Sequence, residues 1–355
     1  MNTVNRRKAA VVGNPIAHSL SPQLHFAGWN PSDFPRIELS SAEFAEFLGS
    51  WDDTWAGCAV TMPFKFAALK YADLVDGLAA AVGAANTIVV QPTGANSHLT
   101  VAFNTDVAGI VHAIWEVTDA QATLGNCDSN TDAELLAVAD TPKNARLRGD
   151  DELRGNREGD FARTHRKFAK AVILGSGATA SSALAALLQL GAVEITICAR
   201  RSSGPNTVFS AAHRLHLDYR YQQLASPQCV EQILQSELLI STLPAGVADD
   251  LAQQLADLLA SRVDHVDSAQ QNQNSADAQL LAGKVLLDVV YAPYPSKLIQ
   301  VWERFGGIVV PGWLMLLHQA IDQVRLFTGK EPDVPAMRTA LEQALQERNK
   351  GSSIG

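Results

Sequence analysis

The sequence predicts an α/β protein of two domains, on three observations. Strand-like and helix-like segments alternate through residues 8–117. A polar stretch then breaks the pattern. At Ala171 it restarts as "AVILGSGATASSALAALLQLGAVEITICARR", which reads strand, glycine-rich turn, helix, strand. With 355 residues, 47% hydrophobic and 18% charged, the chain can bury two cores.

The apolar run Ala9–Val12 reads as a first buried strand, and Gly13-Asn14-Pro15 turns the chain at its end. Ser19 and Ser21 follow, two hydroxyls braced by Pro22 at the mouth of that strand. Segments 57–62 and 86–90 read as strands. Segments 66–75 and 106–116 read as helices, with apolar residues three and four apart. Residues 118–167 are rich in Asp, Asn, Arg and Gly and poor in aromatic and β-branched residues. They bury too little apolar surface to offset the entropy of ordering, so a disordered or loosely ordered insertion is expected there. A second polar stretch, 263–279, reads as a surface insertion. Residues 284–298 give a strand ending in a proline-rich turn, and 312–327 and 334–348 give amphipathic helices.

Several function classes are disfavoured. A net charge of −9 with no basic run argues against a nucleic-acid partner. No secretory signal, lipidation motif or membrane-length apolar stretch is expected. The four cysteines are scattered without a C-x-x-C, and the nine histidines show no metal-ligand spacing. The expectation is a cytoplasmic protein without a metal, monomeric or homodimeric, acting on a small molecule.

Two constellations carry chemistry. Gly175-Ser176-Gly177-Ala178-Thr179-Ala180 matches G-x-G-x-x-A between a strand and a helix, the context of a dinucleotide-binding turn. A pyrophosphate there rests on free N–H groups and the positive end of the helix dipole. At the end of the next strand an NAD site expects Asp or Glu, but this chain has Arg200-Arg201-Ser202-Ser203. Guanidiniums and hydroxyls suit a 2′-phosphate, so NADP is the expected cofactor. In the first domain, Lys65 follows "VTMPF", Asn86 opens a strand and Asp106 closes "LTVAFNT". All three are expected on one sheet edge, where a Lys beside an Asp can move a proton to or from a substrate hydroxyl.

Taken in order, "SLSP" (19–22), "VTMPFK" (60–65), "AANTIV" (84–89), "NTD" (104–106), "GSGATA" (175–180), "STLPAG" (241–246), "DVVYAP" (288–293) and "GWLMLLHQA" (312–320) resemble the shikimate dehydrogenase family. The resemblance runs from residue 9 to about 330, apart from the two polar stretches. It implies NADP-dependent reduction of 3-dehydroshikimate to shikimate, a step toward chorismate and the aromatic amino acids. It implies Lys65 as the acid/base group with Asp106 its partner, and leaves open whether Lys65 takes the proton or mainly stabilises charge. It further implies Ser19 and Ser21 on the substrate carboxylate, with Thr61, Asn86, Tyr291 and Gln319 on the rest of the substrate. Leu243, Val290, Gly312 and Met315 are implied around the nicotinamide. The implied plan is a substrate-binding domain at 1–117, the insertion at 118–167, a Rossmann-like NADP domain at 168–310, and C-terminal helices at 311–350 returning to the first domain.

The chain departs from the family at two points. Gly-Ser-Gly-Ala stands where many members have Gly-Ala-Gly-Gly, and Ala199 stands where an Asn often precedes the ribose-end arginine. Alternatives stay open: a quinate or quinate/shikimate dehydrogenase, which would need room near Ser21 and Thr61, or a non-catalytic shikimate-sensing relative, which would be free to lose Lys65 and Asp106. A methylenetetrahydrofolate dehydrogenase shares the two-domain plan but gives no reason for the SLSP loop.

Overall fold

A computed structural model describes residues 7–94, 97–125, 165–267 and 279–352. Its first half runs β1 (Lys8–Gly13), α1 (Ser21–Trp29), β2 (Arg36–Glu38), α2 (Ser41–Gly49), β3 (Trp55–Val60), α3 (Ala67–Tyr71), β4 (Leu74–Val75), α4 (Gly77–Val82), β5 (Thr87–Gly94), β6 (Ser97–Phe103) and α5 (Asp106–Gly125). Six strands pair in the order β2-β1-β3-β5-β6-β4, with β1 parallel to β2 and β3, and β5 antiparallel to β3 and β6. Strand β1 is apolar without alternation because both its faces are covered. Ala10 and Val12 pack with Phe44, Phe64 and Ile88 on one side, and Ala9 and Val11 with Phe34 and Phe327 on the other.

One expected helix is cut short. The apolar spacing over 66–75 predicts a continuous helix, but α3 ends at Tyr71 and Leu74–Val75 add a parallel edge strand beside β6. The cause is non-local. The Asp73 carboxylate accepts from the Thr100 N–H at 2.7 Å and the Thr100 hydroxyl at 2.8 Å, so β6 captures the segment before the helix can continue.

The second half runs β7 (Lys170–Leu174), α6 (Ala178–Gln189), β8 (Glu194–Ala199), α7 (Val208–Arg214), β9 (Arg220–Gln223), α8 (Pro227–Gln235), β10 (Leu238–Ser241), α9 (Asp249–Asp267), β11 (Val285–Asp288), α10 (Lys297–Arg304) and β12 (Ile308–Pro311). Its six strands are all parallel, in the order β12-β11-β10-β7-β8-β9. The order reverses at β7, so a crevice forms outside the carboxyl ends of β7 and β10, where sheets of this kind bind ligands. Two further helices, α11 (Gly312–Thr328) and α12 (Val334–Ser352), pack on α1 through Leu20, Leu24, Leu317, Val324, Met337 and Leu341.

Both sheets belong to one compact unit, Met1–Ala113 with Phe168–Gly355, and Ile114–Lys167 form a second. In the latter, α5 continues past residue 117 to Gly125, further than the polar composition suggests. There Trp115 stacks on His165 at 4.0 Å, and His165 Nδ1 lies 2.8 Å from Asp119 Oδ2. Residues 126–164 of the expected insertion, and 268–278 of the second polar stretch, lie outside the described residues. Among the described residues no helix is long and apolar enough to cross a membrane.

Candidate active site

A cavity of 460 Å³ lies at the carboxyl ends of both sheets. Its wall includes Ser19, Ser21, Thr61, Lys65, Asn86 and Asp106 from the first half, and Thr179, Leu243, Val290, Tyr291, Gly312, Met315 and Gln319 from the second. Sequence-distant residues therefore meet in one space.

The polar centre is built on short elements. Strand β3 stops at Val60, and the turn that follows is anchored by Phe64, which is buried and stacks on Phe44 at 4.7 Å. Lys65 follows that anchor, so its side chain enters the cavity from a fixed turn. Its Nζ is 2.5 Å from Asp106 Oδ2, with the Lys65 side chain 13% and the Asp106 side chain 4% exposed. Asp106 opens α5, a usual place for a helix cap. Here Asn104 accepts the Val107 N–H instead, at 3.3 Å, which frees the Asp106 carboxylate to face the cavity. Asp106 Oδ1 accepts from Asn86 Nδ2 at 3.0 Å. The same Asn86 nitrogen lies 2.9 Å from Gln319 Oε1 and 2.9 Å from Thr105 Oγ1. An amide has two N–H bonds for these three acceptors. The Thr105 hydroxyl, 3.5 Å from Gln319 Oε1, supplies a further donor to the group.

Elsewhere on the wall, Ser19 and Ser21 lie side by side, the Ser19 hydroxyl donating to Ser21 Oγ at 3.2 Å. Ser21 starts α1 with Pro22 in its first turn, so the pair is held before any ligand arrives. Tyr291 joins them on the wall, and burial pushes its phenol above the ordinary tyrosine range.

The glycine-rich turn sits beside the cavity. Gly175 has φ +113°, and an added Cβ would stand 2.5 Å from Thr242 Oγ1, so only glycine fits. Helix α6 begins at Ala178 with Gly177 as its cap and no side-chain cap, which leaves its first N–H groups free for an anion. A Cβ at Gly177 would meet nothing. Of the six turn residues only Thr179 lines the cavity, while Ala180 is buried against the sheet and Gly175, Ser176, Gly177 and Ala178 form the turn behind it. Arg200, Arg201 and Ser202 do not reach the cavity. They are exposed just past β8, whose end is tied to the turn by the Gly175 N–H donating to Cys198 O at 2.9 Å. An uncapped helix start flanked by two arginines fits a dinucleotide carrying a 2′-phosphate.

Two participants, Gln323 and Gly109, escape the sequence reading, and a third, His25, reads there only as a loop or packing residue. Gln323 is 1% exposed, and its amide donates to Asn86 O at 3.2 Å and Thr87 Oγ1 at 3.0 Å. Its spacing of four from Gln319 puts both on one helix face, a signal that could have revealed it. Gly109 lets α5 approach α11, since a Cβ there would stand 2.9 Å from Gln319 Cβ. His25 is fully buried, stacked on Phe34 at 4.1 Å. The Trp29 indole N–H donates to its Nδ1 at 3.1 Å, so its Nε2 carries the proton toward Gln323 Oε1, also at 3.1 Å.

Burial pushes the His25 pKa down to about 3. Between an unfolded value of 6.5 and that folded value, the unfolded chain binds a proton that the native chain refuses. Stability therefore falls as pH drops through this window, by up to about 1.4 kcal/mol per pH unit from this group. Urea unfolding across the window is expected to show a shallower slope for His25→Gln, by about one proton. An unchanged slope would contradict it.

Comparison with known proteins gives a consistent picture. Residues 11–88 match the model of the shikimate dehydrogenase substrate binding domain, and residues 312–342 that of the shikimate 5′-dehydrogenase C-terminal domain. The crystal structure of Mycobacterium tuberculosis shikimate dehydrogenase superposes with a TM-score of 0.66 at 32% identity, over 95% of this chain and 99% of that one. The chain belongs to the shikimate dehydrogenase family. Within the family, the shikimate dehydrogenase (NADP(+)) of Methanothermobacter thermautotrophicus is 25% identical over 97% of this chain and 99% of its own length. The pentafunctional AROM polypeptide of Scheffersomyces stipitis is 28% identical over 90% of this chain, which spans 17% of that polypeptide.

Proposed function

We propose that this chain interconverts 3-dehydroshikimate and shikimate with NADP as cofactor, in the route to aromatic amino acids. The observation that carries the reading is the Lys65–Asp106 pair, joined through Asn86 to Gln319 in one cavity whose wall also holds the Ser19–Ser21 pair. Paired neutral hydroxyls suit a carboxylate. The Lys65, Asp106, Asn86 and Gln319 set offers both donors and acceptors, as ring hydroxyls require. Thr61 and Tyr291 complete the substrate wall, and Leu243, Val290, Gly312 and Met315 the nicotinamide side. The NADP site comprises the turn Gly175–Ala180 with Arg200, Arg201 and Ser202. We assign residues 1–117 and the helices of 311–350 to substrate, and 168–310 to cofactor. The described cysteines, Cys58, Cys198 and Cys229, are buried free thiols, which accords with a reducing cytoplasmic setting.

NADPH, when bound, supplies a hydride to the ring carbonyl carbon. The Lys65 ammonium, held by Asp106, donates the proton that the carbonyl oxygen gains and stabilises its negative charge as it develops. In the oxidising direction the same nitrogen receives the proton. Asn86 fixes the Asp106 carboxylate, so the ammonium points into the cavity without reorganisation. The deciding assay offers shikimate and quinate, each with NADP and with NAD, and follows nicotinamide absorbance. Turnover confined to shikimate with NADP is expected. Turnover of quinate with NAD would overturn the substrate and cofactor assignment, and no turnover with any pair would overturn catalysis.

A further inference from the structure

Two arginines outside the cavity converge on the loop that carries Ser19 and Ser21. Arg36, on β2, donates through Nε to Ser19 O at 2.8 Å and through Nη2 to Gln23 Oε1 at 3.0 Å. Arg348, near the end of α12, donates through Nη2 to His18 O at 2.5 Å. Two guanidiniums, from elements more than 300 residues apart, thus clamp two consecutive carbonyls of one short loop. Tyr291 feels both positive charges, which oppose the effect of its burial, and Arg36 is held down by burial and then by the charge of Arg348. The two cations are therefore close to each other and to the carboxylate end of the cavity. Glu38, also on β2, accepts from the Ile16 N–H at 3.3 Å, at the start of the same loop.

We propose that Arg36 and Arg348 are specificity-determining residues for an anionic substrate: they hold the serine loop by its carbonyls and supply the positive field that draws a carboxylate onto Ser19 and Ser21. This rests on the shikimate reading above. The serines alone are neutral donors: they hydrogen-bond a carboxylate at contact but supply no net charge that draws one in from solution. The chain as a whole carries −9 and repels an anion, so a local positive region at the binding end sets both encounter and selectivity. Helix α12 thereby becomes part of the substrate site, although none of its residues lines the cavity.

The experiment uses the full chain, unaltered and as Arg36→Gln, Arg348→Gln, Arg36→Lys and Arg348→Lys. Initial rates are measured with shikimate and with its uncharged methyl ester, from low salt to about 0.5 M, where screening leaves only contacts within a few Å. At low salt each Gln variant is expected to raise KM for shikimate about tenfold, with kcat within about twofold and KM for NADP unchanged. The Lys variants are expected to keep most of the salt dependence that the Gln variants lose. On the unaltered chain, KM for shikimate is expected to rise with salt and that for the ester to stay flat, a reading that needs no variant to fold. KM raised with an unchanged salt slope would reduce the arginines to loop supports and overturn the field. KM unchanged in both Gln variants would overturn the whole assignment while leaving the shikimate reading intact. An unaltered chain that turns over neither compound would overturn both.

Discussion

Lys65→Ala is expected to lower kcat by about 10³-fold while KM for NADP stays within about twofold of the unaltered chain. The size follows from what the side chain does. Its Nζ is the cationic group against Asp106 Oδ2, at 2.5 Å, and it faces the cavity with little solvent around it. Water entering the space left by alanine is a weaker acid and is not oriented by Asp106, so the proton and the electrostatic stabilisation are lost together. The fold survives. Asp106 keeps its hydrogen bond from Asn86, so a cost of about 1–3 kcal/mol is expected for the unpaired carboxylate, against total stabilities of about 5–15 kcal/mol. Steady-state rates with saturating shikimate and NADP, a thermal melt and a binding titration with NADP separate these effects. Turnover near that of the unaltered chain, with a normal melt, would remove Lys65 from the chemistry and with it the catalytic reading of the pair.

What the sequence disclosed and what it hid divide along the range of the interactions. Strands β1, β3 and β7 are legible because parallel strands covered on both faces read as apolar runs. The turn at Gly175 is legible because strand, glycine pattern and helix are contiguous. The ends of their segments put Lys65, Asn86 and Asp106 on one sheet edge, and the structure brings them within one hydrogen-bonded group. The failures are of another kind. The break between α3 and β4 depends on Thr100, and the freedom of Asp106 from capping depends on Asn104 taking that duty. Gln323 and His25 belong to a buried chain of hydrogen bonds that crosses from α1 to α11 to β5. No local pattern marks a histidine as neutral and buried, whereas the spacing of four from Gln319 does put Gln323 on the same helix face. The guanidinium clamp on His18 and Ser19 needs residues from β2 and α12 at once, and although 334–348 reads as an amphipathic helix, nothing in either stretch marks Arg36 or Arg348 as facing the serine loop.

The second large effect is expected at Arg200 and Arg201, which we propose hold the 2′-phosphate of NADP. The double variant Arg200→Ala/Arg201→Ala is expected to raise KM for NADP by about 30- to 100-fold and leave KM for NAD within about threefold. Both arginines are exposed and stand next to the glycine-rich turn, because the Gly175 N–H is bonded to Cys198 O and the Val208 N–H to Ser176 O. The loop from 200 to 207 thus begins and ends beside that turn. No acid occupies the end of β8, so nothing there competes for a ribose 2′-hydroxyl or repels a 2′-phosphate. Among the described residues neither arginine makes a hydrogen bond or ion pair, and their removal should cost the fold nothing measurable. On the proposed reading, discrimination between cofactors rests on charge-assisted contacts formed only when the 2′-phosphate is present. Arg200→Asp carries the argument one step further: it places at the strand end the acid that favours NAD, and is expected to invert the preference rather than merely erase it. KM for both cofactors across ionic strength tests the pair. A ratio of NADP to NAD affinity that survives both changes would mean that Ser202, Ser203 or the backbone of the turn reads the 2′-phosphate, and the arginines would be ordinary solvated cations.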